Sequence, residues 1–289
     1  MEERGRVLIV GAHGMLGQDL VKVLERSFEV VALGRDELDI SLYNNVKKVL
    51  KEVSPQVVIN AAGYTDVDAC ERKSRLAFAV NGEGAKNLAR ATSVLKAKLV
   101  YISTDYVFDG KKETPYSEED QPNPLNVYGE SKLMGERYVQ KFADDYLIVR
   151  TQWLFGPGGR NFVDTILDLS QDRERIEVVD DQVGSPTYTL DLSRAILTLL
   201  EKDLWGVFHV SNSGSCSWYE FAKEILSQVG RDTVQLVPIS SADLTRPARR
   251  PLYSVLSNEK LHKEAGLAMR PWQEALRDYL REKGLFGEA

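Results

Sequence analysis

The fold is decided near the N-terminus by the stretch Val7-Leu8-Ile9-Val10-Gly11-Ala12-His13-Gly14-Met15-Leu16-Gly17 (VLIVGAHGMLG). Four apolar residues in succession predict a strand that is buried on both faces. Three glycines follow at a spacing of three, and a helical pattern begins near Leu16. Glycine allows a tight turn and lets an anion approach the backbone N–H groups at the start of the helix. The stretch therefore predicts the strand, phosphate-binding loop and helix that open a dinucleotide-binding sheet.

Further apolar runs along the first half of the chain repeat this pattern. The other strand candidates are Val30–Leu33, Val57–Asn60, Lys98–Ile102 and Tyr146–Arg150. Helical periodicity separates them, for example over Gln18–Arg26 and Gly82–Leu95. Continuous apolar strands alternating with helices predict an α/β protein of the Rossmann type, with a doubly wound parallel sheet.

The pattern changes after about residue 150. Proline and glycine cluster at 156–159 and again at 184–186, and helical patterns dominate later. We expect a dinucleotide-binding domain at 1–150 and a smaller, mixed α/β substrate-binding lobe at 151–289. The boundary is soft, because later strands can return to the first sheet. Ser217 and Glu220 predict a capping box, and the helix that follows carries Trp218 and Phe221 on a face that we interpret as core.

Composition excludes several classes of protein. The chain has 289 residues, 43% hydrophobic and 28% charged, with a net charge of −6. This balance disfavours a protein that coats nucleic acid. No apolar run approaches the roughly 20 residues of a membrane helix, so we expect a cytoplasmic protein with no membrane partner. The two cysteines and three histidines have no metal-ligand spacing, and we predict no metal site.

The end of the second strand bears on which dinucleotide binds. Arg35 is placed to contact the 2′-phosphate of NADP, whereas the neighbouring Asp36 keeps NAD open. We therefore expect NADPH, with NADH as the alternative. The predicted cofactor contacts follow the order of the strands: Gly11, Gly14, Met15, Leu16 and Gly17 in the loop, Arg35, Asp39 and Ile40 after strand two, and Ala61, Ala62, Gly63, Tyr64 and Thr65 after strand three.

A tyrosine and a lysine four residues apart follow the fourth strand. Tyr128 and Lys132 fall on one face of a predicted helix, and Thr104 ends the strand before it. Reduction of a ketone by a nicotinamide hydride puts negative charge on the carbonyl oxygen, which then needs a proton. A nearby ammonium lowers the pKa of a tyrosine, and a hydroxyl can hold the oxygen in place. We expect Thr104, Tyr128 and Lys132 to be catalytic, with the last two also contacting the cofactor.

Together these motifs resemble the extended short-chain dehydrogenase/reductase family. The motifs that carry the resemblance span nearly the whole chain: Gly11-x-x-Gly14-x-x-Gly17, Asn60-Ala61-Ala62-Gly63, Ser103-Thr104-Asp105, Tyr128-x-x-x-Lys132, Arg150–Gly156, Asp181–Thr187 and Arg250–Ser254. Within this family, the motifs are most similar to those of the branch that reduces the 4-keto group of a nucleotide-diphosphate deoxysugar. The substrate that this resemblance implies first is dTDP-4-dehydro-L-rhamnose. Tyr253 departs from the asparagine common at its position in this family.

The resemblance implies a role for each matched residue. Tyr128 would donate the proton, Lys132 would lower its pKa and bind cofactor, and Thr104 would orient the C4 carbonyl. Trp153 would pack on the sugar, with Asp105 and Tyr106 nearby. The run Arg246, Arg249 and Arg250 would either meet the substrate's diphosphate or form a solvated basic patch.

Two alternatives remain open at this level. One is another nucleotide-sugar enzyme of the same fold, although a 4,6-dehydratase usually carries Asp-Glu where this chain has Asp105-Tyr106. The other is a non-catalytic dinucleotide-binding subunit, as in the regulatory subunit of methionine adenosyltransferase. Some members of the family are metal-linked dimers, which leaves a homodimer open, but no carboxylate cluster here suits magnesium.

Overall fold

A computed structural model describes residues 5–285 of the chain. The strands are β1 (Arg6–Val10), β2 (Glu29–Leu33), β3 (Val57–Asn60), β4 (Lys98–Thr104), β5 (Tyr146–Thr151), β6 (Leu154–Phe155), β7 (Arg175–Val179), β8 (Val183–Gly184), β9 (Thr187–Tyr188), β10 (Gly206–His209), β11 (Cys216–Ser217) and β12 (Gln235–Ile239). The helices are α1 (Met15–Leu24), α2 (Tyr43–Val53), α3 (Val67–Arg72), α4 (Ser74–Ala77), α5 (Gly84–Leu95), α6 (Val127–Phe142), α7 (Phe162–Asp172), α8 (Thr189–Glu201), α9 (Trp218–Gln228), α10 (Glu259–Ala265) and α11 (Trp272–Glu282). A π-helix lies at Phe78–Glu83, and 3₁₀ turns lie at Asp105–Val107 and Ser241–Asp243.

Six parallel strands form the central sheet, in the order β10-β5-β4-β3-β1-β2. All five strands expected from the apolar runs lie in it. The predicted Rossmann-type fold is therefore confirmed. Because the strands are parallel, their carboxyl ends meet at one edge, and the residues that follow β1, β3, β4 and β5 are brought together there.

Alternate residues of β1 show why helices cover both faces of the sheet. Val7 and Ile9 pack with apolar residues of α1 and α8. Leu8 and Val10 point to the opposite face and pack with α2 and α5. All four side chains are at most 1% exposed. A strand buried on both faces has no polar alternation, which accounts for the continuous apolar run in the sequence.

A second core lies beside the sheet and is built from α7, α9, α11 and β7. Strand β12 extends it by pairing in parallel with β7. Helix α9 begins with the predicted capping box, since Ser217 accepts from the backbone of Glu220 and Glu220 accepts from that of Ser217. Phe221 is fully buried, as expected.

Two elements beyond residue 150 complete the first part of the fold. Strand β10 pairs with β5 at the edge of the sheet, and α8 packs on α1. The division at residue 150 stays a prediction, but the later part of the chain contributes to both cores. Within residues 5–285, no helix has the length and apolar character needed to cross a bilayer.

Candidate active site

The glycine loop between β1 and α1 leaves no room for side chains. Gly11 has a φ of +80°, and a Cβ atom there would lie 2.6 Å from the backbone nitrogen of Ala62. A Cβ on Gly17 would lie 2.3 Å from the carbonyl oxygen of Gly11. Gly14 caps α1 without a side-chain hydrogen bond, so the first turn of the helix presents backbone N–H groups at the sheet edge. This geometry is suited to a bound anion.

A cavity of about 300 Å³, here called the glycine-loop cavity, lies beside this turn. Its lining includes Arg35, Asp39, Ile40 and Tyr64 as well as part of the loop. Asp36 is exposed and does not line it. The Asp39 carboxylate accepts from the backbone and the hydroxyl of Ser41, at 2.9 and 2.7 Å, and so fixes its own turn.

The loop after β3 is held by a residue that the sequence reasoning missed. Asn81 is buried in the π-helix; its Oδ1 accepts from Tyr64 N at 2.8 Å and its Nδ2 donates to Tyr64 O at 3.0 Å. The same Nδ2 donates to Ser131 Oγ at 2.9 Å. Asn81 therefore ties the loop after β3 to α6. Single π turns are frequent at functional sites.

A second cavity of about 460 Å³, the central cavity, lies over the carboxyl ends of β3, β4 and β5. It brings together Thr104, Tyr128 and Lys132, as the sequence predicts. Asn126 caps α6 by accepting from Gly129 N at 2.8 Å, which sets the start of the helix. Every predicted cofactor residue lines either this cavity or the glycine-loop cavity, and the two share Gly14, Ala61, Ala62 and Gly63.

Hydrogen bonds fix two of the three central side chains, those of Thr104 and Lys132. Thr104 Oγ1 donates to Asp105 Oδ1 at 2.9 Å, and Ser254 Oγ donates to Asp105 Oδ2 at 2.6 Å. Lys132 Nζ donates to Ile102 O at 2.6 Å and lies 4.2 Å from the centre of the Tyr101 ring. Each group is therefore positioned by the strand end beside it.

Burial dominates the protonation of the site. It raises the pKa of Tyr128 well above the ordinary 10.0, and a side-chain hydrogen bond with Thr104 opposes this only in part. The direction is opposite to the lowering expected from the sequence, because the enclosure of the phenol outweighs its neighbours. Burial lowers the pKa of Lys132 to about 7, against the attraction of Glu136. It also raises the pKa of Asp105 to about 7, opposed by its bonds to Ser254 and Thr104.

A buried ion pair lies one helical turn beyond Lys132. Glu136 and Arg150 are 2% and 4% exposed, and Arg150 donates to both carboxylate oxygens at 2.9 and 2.7 Å. Ser103 Oγ adds a bond of 2.5 Å to the same carboxylate. The pair joins α6 to β4 and β5 and places a negative charge near Lys132.

A third cavity of about 570 Å³, the arginine cavity, continues from the central cavity into the second core. The two cavities share Tyr106 and Trp218. Arg246 and Arg250 line it, whereas the exposed Arg249 does not. Arg250 donates to both oxygens of Asp68, at 3.2 and 2.9 Å. The rest of the cavity wall comes from α7, β7 and the segment around Ile239 and Leu244. It is mostly apolar but also includes Arg173, Arg175 and Glu177.

Two stacked tryptophans stand where these cavities meet. The rings of Trp153 and Trp218 are 3.5 Å apart and nearly parallel. Trp153 has a φ of +48°, an unusual conformation for a side-chain-bearing residue. Trp218 packs against the second core, in line with its interpretation as a core residue, and it also lines both cavities. The sequence could not show that Trp218 lines a cavity, because residues of a cavity wall and residues of a core have the same helical periodicity.

Side chains that could together bind a metal ion do not cluster in the described residues. Among residues 5–285 there is no cluster of three or more histidine, cysteine, aspartate or glutamate side chains that could hold an ion.

A parallel sheet with a glycine loop after β1, and with threonine, tyrosine and lysine at its carboxyl edge, is the arrangement of an extended short-chain dehydrogenase/reductase. The family model described as the RmlD substrate binding domain matches residues 5–284. The chain therefore belongs to the RmlD substrate binding domain family.

Similar proteins span the same length. The spore coat polysaccharide biosynthesis protein SpsK of Bacillus subtilis (strain 168) is 42% identical over 96% of this chain and 98% of its own. A dTDP-4-dehydrorhamnose reductase of Streptomyces griseus is 43% identical over 94% and 92%. The structure of a dTDP-4-dehydrorhamnose reductase of Bacillus anthracis str. Ames in complex with NADP is 42% identical, with a TM-score of 0.94 over 96% of this chain and 99% of that one.

Proposed function

We propose that this protein reduces the 4-keto group of a dTDP-linked deoxysugar with NADPH, converting dTDP-4-dehydro-L-rhamnose to dTDP-L-rhamnose. The observation that carries the proposal is the row of three adjoining cavities, with Thr104, Tyr128 and Lys132 in the middle one. The names of the similar proteins from Streptomyces griseus and Bacillus anthracis support the same reaction and cofactor.

The dinucleotide would occupy the glycine-loop cavity and part of the central cavity. The fit rests on the loop, where Gly11 and Gly17 let the chain pack closely against its own backbone and Gly14 leaves the N-terminus of α1 open to a pyrophosphate. Arg35 would pair with the 2′-phosphate of NADPH, and its place in the cavity wall favours NADPH over NADH. When bound, the nicotinamide supplies a hydride to the carbonyl carbon.

The proton would come from Tyr128. Because burial holds the pKa of its phenol above the ordinary value, the side chain carries its proton at neutral pH. The phenol would donate this proton to the carbonyl oxygen as the carbon accepts the hydride, so that the ketone becomes an alcohol. Thr104 would bind the same oxygen, and Lys132 would stabilise the phenolate that is left.

The substrate would extend from the central cavity into the arginine cavity. Trp153, Asp105 and Tyr106 would contact the sugar. Arg246 and Arg250 would face the diphosphate, and the apolar part of the wall of the arginine cavity would receive the nucleoside. Arg249 lies outside this path, so only part of the cationic run fits the role.

Turnover tests the proposal directly. dTDP-4-dehydro-L-rhamnose, made in situ from its glucose precursor, is mixed with protein and NADPH, and the absorbance of the reduced cofactor is followed. We expect one NADPH consumed per sugar reduced. No consumption with any 4-keto nucleotide sugar would exclude a reductase, whereas sugar conversion without net consumption would indicate an epimerase.

Tyr128→Phe is the matched variant for this assay, because it removes one hydroxyl from the central cavity. We expect turnover to fall by roughly 10²–10⁴ while NADPH affinity stays nearly unchanged. Near-normal turnover would remove Tyr128 from the mechanism.

The proposal includes two further expectations. The first is that the protein forms a homodimer, which light scattering on the purified protein would test. The second is that residues 1–150 bind the cofactor and residues 151–289 mainly bind the substrate. Substitutions that change the affinity for NADPH alone should then lie mainly before residue 151.

A further inference from the structure

Gln152 is a buried glutamine whose amide is unpaired. It directly follows β5 and is 2% exposed. Within the part of the chain that the structure describes, neither its Nε2 nor its Oε1 has a hydrogen-bond partner. Buried polar atoms are usually paired, because an unpaired donor or acceptor has lost its bonds to water without replacement. An amide with both ends unpaired therefore needs an explanation in the surroundings of the side chain.

Those surroundings are the central cavity, which Gln152 lines. Thr104 on β4 is the register partner of Thr151 on β5, so Gln152 is one residue past the neighbour of Thr104. Thr151 lines the same cavity, and its Oγ1 is also unpaired among residues 5–285. Two consecutive residues beside Thr104 thus line the cavity and carry unpaired polar atoms.

Other unpaired polar atoms differ from those of Gln152. Ser211 Oγ, Gln228 Oε1 and Trp272 Nε1 are buried and unpaired within the described residues, but none of these side chains lines any of the three cavities. Each has a single unpaired atom, whereas Gln152 has a donor and an acceptor. The combination of both ends unpaired and a place in the cavity wall is what points to a ligand.

From this arrangement we propose that Gln152 binds ligand in the central cavity, donating one hydrogen bond and accepting another. The inference rests on the proposed function, which brings two partners of suitable chemistry into the cavity. One is the hydroxyl groups of the sugar beside the reacting carbonyl, and the other is the carboxamide of the nicotinamide. Each offers a donor and an acceptor close together. A neutral amide suits this position, because it adds no negative charge beside an oxygen that becomes negative in the reaction.

Gln152→Met tests the proposal, since methionine has a similar length and no comparable hydrogen-bonding group. The variant removes no hydrogen bond of the free protein, so its melting temperature should equal or exceed that of the wild type. Calorimetric titrations with NADPH, dTDP and dTDP-L-rhamnose measure binding. We expect the variant to bind one ligand, NADPH or dTDP-L-rhamnose, about tenfold more weakly, as for the loss of one or two hydrogen bonds.

The ligand whose affinity changes identifies the group that Gln152 binds. A weaker NADPH complex assigns Gln152 to the nicotinamide carboxamide. Loss of the affinity difference between dTDP-L-rhamnose and dTDP assigns it to the sugar. Unchanged affinity for all three ligands overturns the proposal, and so does a lower melting temperature with unchanged binding, which makes Gln152 a structural residue.

Ser211→Ala is the control, because it also removes a buried unpaired group but lies outside the cavities. It should change none of the three affinities. Gln152→Leu carries the same expectations if the methionine variant does not fold. Because these are binding measurements, a wild-type protein that fails to consume NADPH would refute the proposed function without deciding the role of Gln152.

Discussion

Replacing Lys132 by methionine removes a cation that is buried in the sheet edge. The Lys132 ammonium contacts the Ile102 carbonyl and the Tyr101 ring, and burial lowers its pKa to about 7 from the ordinary 10.5. Since one pKa unit corresponds to about 1.4 kcal/mol, holding this side chain charged costs the folded protein about 5 kcal/mol relative to the unfolded chain.

The sign of the pH dependence follows from proton counts. Between about pH 7 and the unfolded value of 10.5, the unfolded chain keeps a proton on Lys132 that the folded protein has released. Stability therefore rises with pH in this window and is lowest below it, where the lysine is charged in both states. From about pH 7 to about pH 9, the wild type should gain roughly 2–3 kcal/mol relative to Lys132→Met.

Urea denaturation at a series of pH values measures this difference, since other titrating groups are common to both proteins. At about pH 7 and below, where Lys132 still carries charge, the variant should also lose turnover, because no ammonium remains to stabilise the Tyr128 phenolate. Lys47→Met, at an exposed position on α2, is the control and should leave the pH dependence unchanged. A difference between wild type and variant that stays flat over this range would refute the reasoning.

Three other substitutions test the cavities and the buried pair. Arg35→Ala should raise the KM for NADPH about tenfold or more and leave that for NADH nearly unchanged, as steady-state kinetics with both cofactors would measure. Arg250→Ala should raise the KM for the nucleotide sugar, whereas Arg249→Ala, outside the cavity, should not; equal effects would argue against a diphosphate site. Glu136→Gln should lower the free energy of unfolding by about 3–5 kcal/mol because it leaves the buried Arg150 guanidinium without its counter-charge. Glu83→Gln, at a half-exposed pair, should cost less than about 1 kcal/mol by the same denaturation assay.

The central sheet could be predicted because its signals are local. Each buried strand is a short apolar run, and the glycine loop follows the first of them directly. The return of β10 could not be located, because four residues at Gly206–His209 carry no information about which distant strand they pair with. The π-helix at Phe78–Glu83 was also missed, since its residues fit an ordinary helical pattern.

The site divides in the same way. Tyr128 and Lys132 share one helical turn, so their proximity could be read from their spacing. The stacking of Trp218 on Trp153 joins residues far apart in sequence and left no periodic trace. The pKa of Tyr128 depends on how completely the fold encloses it, which no spacing reveals. Gln152 became informative only when its lack of partners could be seen.

The place of β10 at the sheet edge has a consequence for synthesis on the ribosome. Strand β5 is complete at Thr151, yet its edge partner begins only at Gly206. Until β10 emerges, a nascent chain exposes an unpaired edge that carries Leu147, Ile148 and Val149, all fully buried in the finished fold. Such an edge is prone to self-association, so folding of the first half cannot finish before the second half is made. A chain released at residue 150 should therefore aggregate rather than yield an independent dinucleotide-binding domain.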